Sequence, residues 1–352
     1  MRIDQAVGSA GPYDAVTGQA LAYRELLRER LGAGGEIYAP DSAPGADSSI
    51  RPLRELEPGG DLLLIHYSGY VPGMGRLLEL PQPKALLYHN VTPARYFWSS
   101  EPHVATICTL GRAGLPRMVE ACAVTAAVSR FNANELSQAG AREPRVVPVL
   151  FDPRRLEPRG RSPLASASGG SPHVLVVGRV APHKRPDLVV RAFALFQREH
   201  APQAALTYIG LPLNPRFQEM LEAVAAESGA RGVNFAGTVA QPALNAAYAE
   251  AYVLLSLSEH EGFCIPLLEA FHLGLPVVAR RTGGMAGVGG DAALWVEEDD
   301  DLGLVAELLR LVTSDEELRD ELRARGRRRA VELGLEPAQR AAIELVEAGL
   351  RG

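Results

Sequence analysis

A chain of 352 residues with 47% hydrophobic side chains is long for one domain and has enough apolar residues to build two cores. Its formal net charge of -6 argues against general nucleic-acid binding, which usually leaves a basic surface. Because the sequence shows neither a run of about 18 apolar residues nor a secretion leader, we expect a cytoplasmic protein.

Short apolar runs predict strands along most of the chain. The first half contains DLLLIHYS, KALLYHN, AVTAAVS and RVVPVL, with helix candidates between them. The stretch Pro153 to Pro172 is rich in Arg, Pro, Ser and Gly and lacks periodicity, as linkers do. From His173 onward strands alternate with helical patterns, and these strands are HVLVVG, AALTYIG, VNFAG, YVLLSLS, PVVAR and AALWV. This order predicts an α/β protein with two doubly wound, mostly parallel halves and ligands beyond the carboxyl ends of strands.

The turn after the strand HVLVVG carries two cations. In HVLVVGRVAPHKRPD, Arg179 and Lys184 stand five positions apart across a strand-to-helix turn, where a planar guanidinium and a compact ammonium would grip a diphosphate from two sides. The alternative is a solvated turn with ordinary surface cations. Lysine usage favours the specific role, since the chain holds only Lys84 and Lys184 among its 36 lysines and arginines.

The turn after the strand YVLLSLS carries two acids, Glu261 and Glu269, at the ends of EGFCIPLLE. Gly262 and Pro266 predict a helix start, whose free amides favour an anion. Because carboxylates beside an apolar core are costly when unpaired, each should accept from hydroxyl groups or bind a cation, and sugar and ribose hydroxyls fit that need. Taken alone, these residues leave an alternative open, in which Glu261 caps the helix and Glu269 faces water.

Two helix starts are predicted near the end of the chain. The acidic run EEDDD, residues 297–301, precedes the helical pattern LGLVAELLRL, so helix capping explains it better than a metal site does. The stretch Ser314 to Glu317 is typical of a capping box.

Together the two turns resemble those of retaining glycosyltransferases of family 4, which have the GT-B fold: two Rossmann-like domains facing across a cleft. Motif, order and spacing agree over roughly residues 170 to 330. The resemblance implies that the Gly178–Arg179 pair and Lys184 hold the donor diphosphate. It places Glu261 near the sugar hydroxyls and lets Glu269 accept from the ribose. Backbone amides would meet the sugar and phosphate from Gly262, Phe263 and Cys264.

The first half resembles the family more weakly. YHNVTPARYF, residues 88–97, is similar to a signature of one branch, and the resemblance places His89 close to the sugar and the reacting phosphate. Without the resemblance, a lone histidine at a strand end is more often a structural hydrogen-bonding group. In the first strand and turn, whose glycines are scattered, the resemblance points to Asp14 and Gly18 on the acceptor side.

One loop departs from the family pattern. In TGGMAGVGGD, residues 282–291, relatives often carry an acid after the paired glycines, where this chain has Met285, Ala286 and Gly287. We expect Thr282, Gly283 and Gly284 to present backbone amides to the ligand, since glycines allow close approach.

The GT-B resemblance also predicts the domain organisation. The final helix of that fold usually crosses back to the first domain. This implies an N-terminal acceptor-side domain of residues 1–155 plus 336–352, a donor-binding domain of residues 173–335, and a linker of residues 156–172.

The implied activity is transfer of a hexose from a nucleoside diphosphate sugar to an acceptor hydroxyl with retained anomeric configuration. Neither a metal nor another cofactor is expected; the three cysteines, Cys108, Cys122 and Cys264, are unclustered. The expected partners are the donor and a sugar, glycan or small-molecule acceptor, with no nucleic acid and at most weak peripheral membrane association. A non-catalytic sugar-nucleotide-binding protein is the main alternative, and a sugar-nucleotide epimerase the second.

Overall fold

The computed structural model describes residues 1–156, 171–297 and 301–352. The chain divides into two compact units: Met1–Phe151 with Gly334–Gly352, and Asp152–Leu333. The first unit therefore ends a few residues before the predicted boundary at 155, and its C-terminal part begins slightly before 336. Most of the predicted linker, residues 156–172, lies outside the described residues.

The first unit is built on a seven-stranded parallel sheet in the order β3-β2-β1-β4-β5-β6-β7. The strands are Ile3–Val7 (β1), Ile37–Ala39 (β2), Arg51–Pro52 (β3), Leu62–Tyr67 (β4), Lys84–Tyr88 (β5), Val124–Ala127 (β6) and Arg145–Val146 (β7). Since β1 pairs with both β2 and β4, the strand order reverses at the β1–β4 pair. Ligands of doubly wound folds bind at such a reversal, beyond the carboxyl ends of the strands.

Four helices of this unit follow the strands β1, β4, β5 and β6, one after each strand. They are Ala15–Leu31 (α1), Met74–Glu79 (α2), Pro102–Ala121 (α3) and Arg130–Gln138 (α4). Helix α1 buries Tyr23, Leu26 and Leu27 and ends at Gly32, whose left-handed φ of 58° closes the last turn without a Cβ penalty.

The second unit repeats the design with six parallel strands in the order β10-β9-β8-β11-β12-β13. The strands are His173–Val177 (β8), Ala205–Ile209 (β9), Val233–Gly237 (β10), Val253–Ser256 (β11), Val277–Arg280 (β12) and Ala293–Val296 (β13). Each lies within one of the six runs predicted from His173 onward. The strand order reverses at the β8–β11 pair, which brings the ends of the two motif-bearing strands together.

The described residues of the second unit form seven α-helices. They are Pro186–Glu199 (α5), Pro215–Ser228 (α6), Gln241–Glu250 (α7), Ile265–Leu273 (α8), Met285–Gly289 (α9), Leu302–Ser314 (α10) and Glu316–Glu332 (α11). Val189, Phe193 and Phe196 of α5 lie in the buried core with β-strand residues such as Leu206 and Leu255. Their helical spacing explains why α5 covers the sheet with one apolar face.

The last helix, Leu335–Leu350 (α12), belongs to the first unit and packs against β4, β5 and β6. The approach is close at Gly349, where a Cβ would come within 2.9 Å of the Leu62 side chain. The chain thus returns to its first sheet after completing the second unit.

Both predicted helix starts are confirmed, but the residue that caps the second helix differs from the predicted one. Asp301 caps α10, and its side chain accepts from the Leu304 amide at 2.8 Å; residues 298–300 of the acidic run lie outside the described residues. The capping box predicted to begin at Ser314 is wrong, because the cap is the next residue and Leu318, three positions after it, has no side-chain acceptor. Asp315 is the cap of α11 and accepts from the Leu318 amide at 2.9 Å, whereas Ser314 ends α10 and donates to the Arg310 carbonyl.

No helix in the described ranges combines the length and the apolar character needed to cross a membrane.

Candidate functional site

The two predicted motifs of the second unit meet at the reversal of its sheet. Lys184 ends a short 3-10 turn, Pro182–Lys184, that follows β8, and Glu261 follows β11. The Lys184 ammonium forms an ion pair with Glu261, and the two side chains are only 19% and 10% exposed. At such low solvent exposure the opposite charges of the ammonium and the carboxylate stabilise one another. The structure therefore brings the predicted cation and the first predicted glutamate into direct contact.

A second set of contacts ties the same two loops together. Arg185 donates to Glu259 and to both carboxylate oxygens of Asp187, at 3.0 and 2.9 Å for the latter. The Glu259 amide donates to the His183 carbonyl at 2.8 Å. Arg185 adopts a left-handed backbone with a φ of 48°, a conformation that is strained for a side chain of this size. These contacts hold the Lys184 turn against the Glu261 loop.

Sequence reasoning missed Arg185 and Glu259. The available signal was the pair of alternating acids in SEHEG together with the run of basic residues in HKR. Such a pattern does not reveal which acid meets which cation, because the two segments are more than seventy positions apart in the chain.

Arg179 lies beside this cluster but differs from Lys184. It is exposed, and within the described part of the chain it forms no ion pair. Burial holds the pKa of His183 well below its ordinary value, and the charges of Lys184 and Arg179 lower it further. The two predicted diphosphate-binding cations thus flank one buried, neutral histidine. The third member of the motif, Gly178, adopts a φ of 145° and donates its amide to Ile209.

The start of α8 offers hydrogen-bond donors without acceptors. Among the described residues, the amides of Gly262, Phe263 and Cys264 donate to no group. Cys264 is the N-cap of α8 and has a left-handed φ of 76°. Burial raises the pKa of its thiol, so Cys264 stays neutral. Three adjacent amides without acceptors at the positive end of a nine-residue helix have the chemistry that suits an anion, and their role in donor binding stays a prediction.

Two of the three amides predicted to face the ligand in the Thr282–Gly284 loop are bonded within the protein, and the role of the third, that of Gly283, stays a prediction. The Thr282 amide donates to the Arg280 carbonyl at 2.9 Å and the Gly284 amide to the Glu261 carbonyl at 2.8 Å. The expectation that these two amides face the ligand is therefore wrong. A Cβ on Gly284 would lie 2.1 Å from the Gly262 carbonyl oxygen and one on Gly283 would lie 2.5 Å from that of Glu261. The glycines let this loop pack directly onto the backbone of the Glu261 loop.

The second predicted glutamate, Glu269, lies inside α8 and is partly buried. The Tyr248 hydroxyl donates to its Oε2 at 2.6 Å, and burial raises the pKa of Glu269. Its Oε1 makes no hydrogen bond with the residues that the structure describes. The first part of the alternative is wrong, because Cys264 rather than Glu261 is the cap of α8. Glu269 is partly exposed, and Tyr248 holds one of its two oxygens.

In the first unit, His89 follows β5 and ends a chain of three polar groups, of which the other two are buried. Its Nε2 lies 3.0 Å from Nδ1 of His66, whose Nε2 lies 2.8 Å from Oε1 of Gln5. His66 and Gln5 are 0% and 1% exposed. Burial lowers the pKa of His89 to about 3 and that of His66 also well below its ordinary value. All three side chains meet at the β1–β4–β5 centre of the sheet.

The residues on either side of His89 are held by a separate network. Tyr88 and Asn90 donate to Oε2 of Glu135 at 3.0 and 2.8 Å, and Arg112 donates to its Oε1 at 2.7 Å. Asn90 reaches this position with a φ of 89°. The network explains the local sequence YHN: its first and third residues anchor the loop, and its second contacts His66.

The acceptor-side candidates lie at the start of α1. Asp14 is the N-cap of this helix, and its Oδ2 accepts from the amide and the hydroxyl of Thr17, both at 2.7 Å. Gly18 lies in the first turns of α1, where an added Cβ would meet nothing within 4 Å. Capping accounts for Asp14 structurally, and an acceptor-binding role of Asp14 and Gly18 stays a prediction.

No group of three or more His, Cys, Asp or Glu side chains in the described ranges is placed to hold a metal ion. The independence from metals stays a prediction.

A family comparison finds a match to the second unit. Residues 165–329 match the family described as glycosyl transferases group 1. The second unit is therefore similar to the members of this family over most of its length. The assignment to family 4 and to the branch with the YHN signature stays a prediction.

Curated relatives match parts of the chain. A D-inositol 3-phosphate glycosyltransferase of Acidothermus cellulolyticus is 36% identical over 157 residues, which are 39% of this chain and 35% of that protein. Sulfoquinovosyl transferase SQD2 of Arabidopsis thaliana is 28% identical over 211 residues, which are 58% of this chain and 39% of that protein. The chain spans about a third to a half of the length of the curated relatives it matches.

A solved structure matches nearly the whole chain. Sucrose-phosphate synthase from Thermosynechococcus elongatus superposes with a TM-score of 0.79 at 18% identity, over 99% of this chain and 98% of that one. With its two parallel-sheet units, the protein therefore has the predicted GT-B fold.

Proposed function

We propose that the protein is a retaining glycosyltransferase that moves a hexose from a nucleoside diphosphate sugar to an acceptor hydroxyl without a metal ion. The observation that carries this proposal is the Lys184–Glu261 ion pair at the sheet reversal, beside the free amides of Gly262, Phe263 and Cys264. A cation, a carboxylate and an anion-binding helix start match the phosphate and hydroxyl groups of a sugar nucleotide.

Lys184 would bind a donor phosphate and Glu261 at the same time. Its ammonium has three donors, so it can keep one bond to Glu261 and give another to a phosphate oxygen. As the bond between the anomeric carbon and the diphosphate breaks, negative charge grows on the diphosphate. Lys184, Arg179 and the α8 amides then stabilise that charge, as preorganised donors do in many enzymes. The new bond forms to the acceptor oxygen, and the acceptor proton leaves with the diphosphate.

The carboxylates would orient the donor. Glu261 lies next to Lys184, where its oxygens would accept from the sugar hydroxyls while the phosphate shares the lysine. Tyr248 occupies one oxygen of Glu269, and the other would accept from the ribose. A partly buried carboxylate with one oxygen already bonded to Tyr248 has a second oxygen left to accept from a hydroxyl group.

The nucleotide is the first part of the proposal to test. We suggest thermal unfolding in EDTA with UDP, GDP, ADP or dTDP, comparing the wild type with Lys184→Ala. A ligand at about 100 times its dissociation constant stabilises the native state by roughly 2.7 kcal/mol. We expect one nucleotide to raise the melting temperature of the wild type and not that of the variant. Arg198→Ala is the control, since Arg198 forms an exposed pair with Glu199.

Transfer is the second part to test. A structure of HepE from Anabaena is a complex with UDP-glucose; it has a TM-score of 0.77 at 16% identity and covers 99% of each chain. UDP-glucose is therefore the first donor to incubate with candidate acceptors, and the anomeric configuration of the product is read by proton NMR. Retained configuration in EDTA supports the proposal, and inversion or a strict need for a divalent ion contradicts it. Nucleotide binding without any product favours the non-catalytic alternative, and a changed sugar nucleotide without an acceptor favours the epimerase.

A further inference from the structure

Three polar side chains cross the centre of the first sheet in a hydrogen-bonded row. Gln5 comes from β1, His66 from β4 and His89 from the residue after β5. The two contacts measure 2.8 Å between Gln5 and His66 and 3.0 Å between His66 and His89. Polar groups buried at the centre of a sheet are costly unless they are hydrogen-bonded. The three side chains therefore have to form hydrogen bonds with one another.

The chemistry of each group sets the direction of the row. The Gln5 carbonyl oxygen only accepts, so the hydrogen of His66 lies on Nε2. A neutral imidazole with a hydrogen on Nε2 has a lone pair on Nδ1, and this lone pair faces Nε2 of His89. His89 must therefore donate from Nε2. Its own Nδ1 then carries a lone pair and can only accept.

Burial keeps both rings neutral. The pKa of His89 is lowered to about 3 and that of His66 also falls well below its ordinary value, so neither ring carries a second proton near neutral pH. A second proton on His66 would place an N–H on Nδ1 against the Nε2–H of His89, so the contact requires a singly protonated His66. His89 donates from Nε2 with or without a second proton, and its lowered pKa leaves Nδ1 unprotonated.

Further contacts hold His89 in place. Its backbone amide donates to the Tyr67 carbonyl at 2.9 Å, and Tyr88 and Asn90 on either side bind Glu135. Nδ1 of His89 makes no hydrogen bond with the residues that the structure describes, and the side chain is only partly buried. The row thus ends in one accessible acceptor.

We infer that Gln5 and His66 are positioning residues that hold His89 as the Nε2–H tautomer, so that its Nδ1 accepts a hydrogen bond from a hydroxyl group of the bound sugar. This inference rests on the proposed function. It makes His89 selective for a hydroxyl at one position of the sugar, because a methoxy group at that position has no hydrogen to donate.

The tautomer can be measured without any ligand. Long-range proton–nitrogen NMR spectra of the ¹⁵N-histidine-labelled full chain distinguish a protonated from an unprotonated ring nitrogen, and His89→Asn identifies the His89 signals. We expect a protonated Nε2 and an unprotonated Nδ1 in the wild type. The reverse tautomer, or a ring with two protons at pH 7, overturns the inference.

Three variants separate positioning from simple packing. Gln5→Glu keeps an acceptor for His66 and preserves the tautomer of His89. His66→Leu removes the acceptor for His89 and should give a mixture of tautomers. His66→Asn is the rescue variant, because its amide oxygen takes the place of Nδ1. If His66→Leu does not fold, Gln5→Leu tests the same row from its other end.

Donor binding and transfer provide the functional readout. We expect His66→Leu to weaken kcat/KM by about tenfold, the effect of one lost buried hydrogen bond, and His66→Asn to recover most of it. Equal loss in both variants, with a single His89 tautomer throughout, contradicts positioning. A wild type that binds no sugar nucleotide contradicts the proposed function instead, and the apo NMR spectra still decide the tautomer.

Discussion

Single side chains already satisfy one another in the candidate donor site. Lys184 and Glu261 are poorly exposed and paired, so the apo site avoids an isolated buried charge. A ligand that offers phosphate oxygens to the lysine and hydroxyl groups to the glutamate can replace this pairing without leaving either charge unpaired. The same residues therefore matter for stability and for binding.

Glu261→Gln tests this double role. The substitution leaves the Lys184 charge without its partner, and we expect the free energy of unfolding to fall by about 2 kcal/mol. Urea titration measures the change. Glu199→Gln is the matched control, because Glu199 pairs with Arg198 at the surface, and such pairs contribute about 0 to 1 kcal/mol. Equal effects of the two variants would contradict a specific role of the buried pair.

The buried histidines predict a loss of stability in mild acid. Because burial lowers the pKa of His66 in the folded protein, the unfolded chain binds more protons as the pH falls below the ordinary value of about 6.5. Stability therefore falls with decreasing pH, by up to about 2 kcal/mol per such histidine at pH 5.

Urea titrations of the wild type and His66→Asn at pH 7 and pH 5 measure this effect. We expect the variant to lose less stability than the wild type between the two pH values. His103→Asn, a change of an exposed histidine, should follow the wild type. A His66→Asn variant with the same pH dependence as the wild type would show that His66 titrates normally.

At the scale of elements, the helix caps provide a matched pair of variants. Asp315 caps α11, whereas Ser314 belongs to the preceding helix. We expect Asp315→Ala to cost about 1 kcal/mol of unfolding free energy and Ser314→Ala less than about 0.5 kcal/mol. The opposite ranking in urea titrations would restore the capping box that the sequence suggested.

The loop after β12 packs on the loop before α8, and a substitution at this contact should cost more stability than the loss of a helix cap. Ala at position 284 would clash with the Gly262 carbonyl, so we expect Gly284→Ala to lower the free energy of unfolding by at least about 2 kcal/mol and to weaken nucleotide binding. Gly287→Ala is the control, since a Cβ there meets nothing within 4 Å. Unchanged stability and binding in Gly284→Ala would contradict the tight backbone contact.

The sequence predicted the strands of the second unit well because they are continuous apolar runs between turn residues. The predictions were less accurate where backbone hydrogen bonds or contacts between distant segments determine the structure. Strand β7 is shorter than RVVPVL suggests because Pro148 has no amide to continue the ladder, and β2 and β3 are too short to show a pattern. Gln5 and His66 could not be joined from sequence, since 61 positions separate them. The roles of Thr282 and Gly284 depend on backbone contacts, which leave no mark on residue type.

At the scale of the whole molecule, only the second unit is continuous in the chain. A fragment of residues 152–333 keeps both loops of the candidate donor site, and we expect it to fold and to be stabilised by the same nucleotide as the full chain. Calorimetry of the fragment with and without Lys184→Ala checks this. Binding by the full chain alone would show that the first unit contributes contacts to the nucleotide.

The placement of α12 sets an order for folding during synthesis. Strands β4, β5 and β6 leave the ribosome long before residues 335–350, which cover them. The second unit can fold as soon as it has emerged, while the first must wait with an apolar face of its sheet uncovered. A nascent chain stalled before α12 would therefore carry a finished second unit and an unfinished first, and chaperones that bind exposed apolar surface would find their target on the older half of the polypeptide.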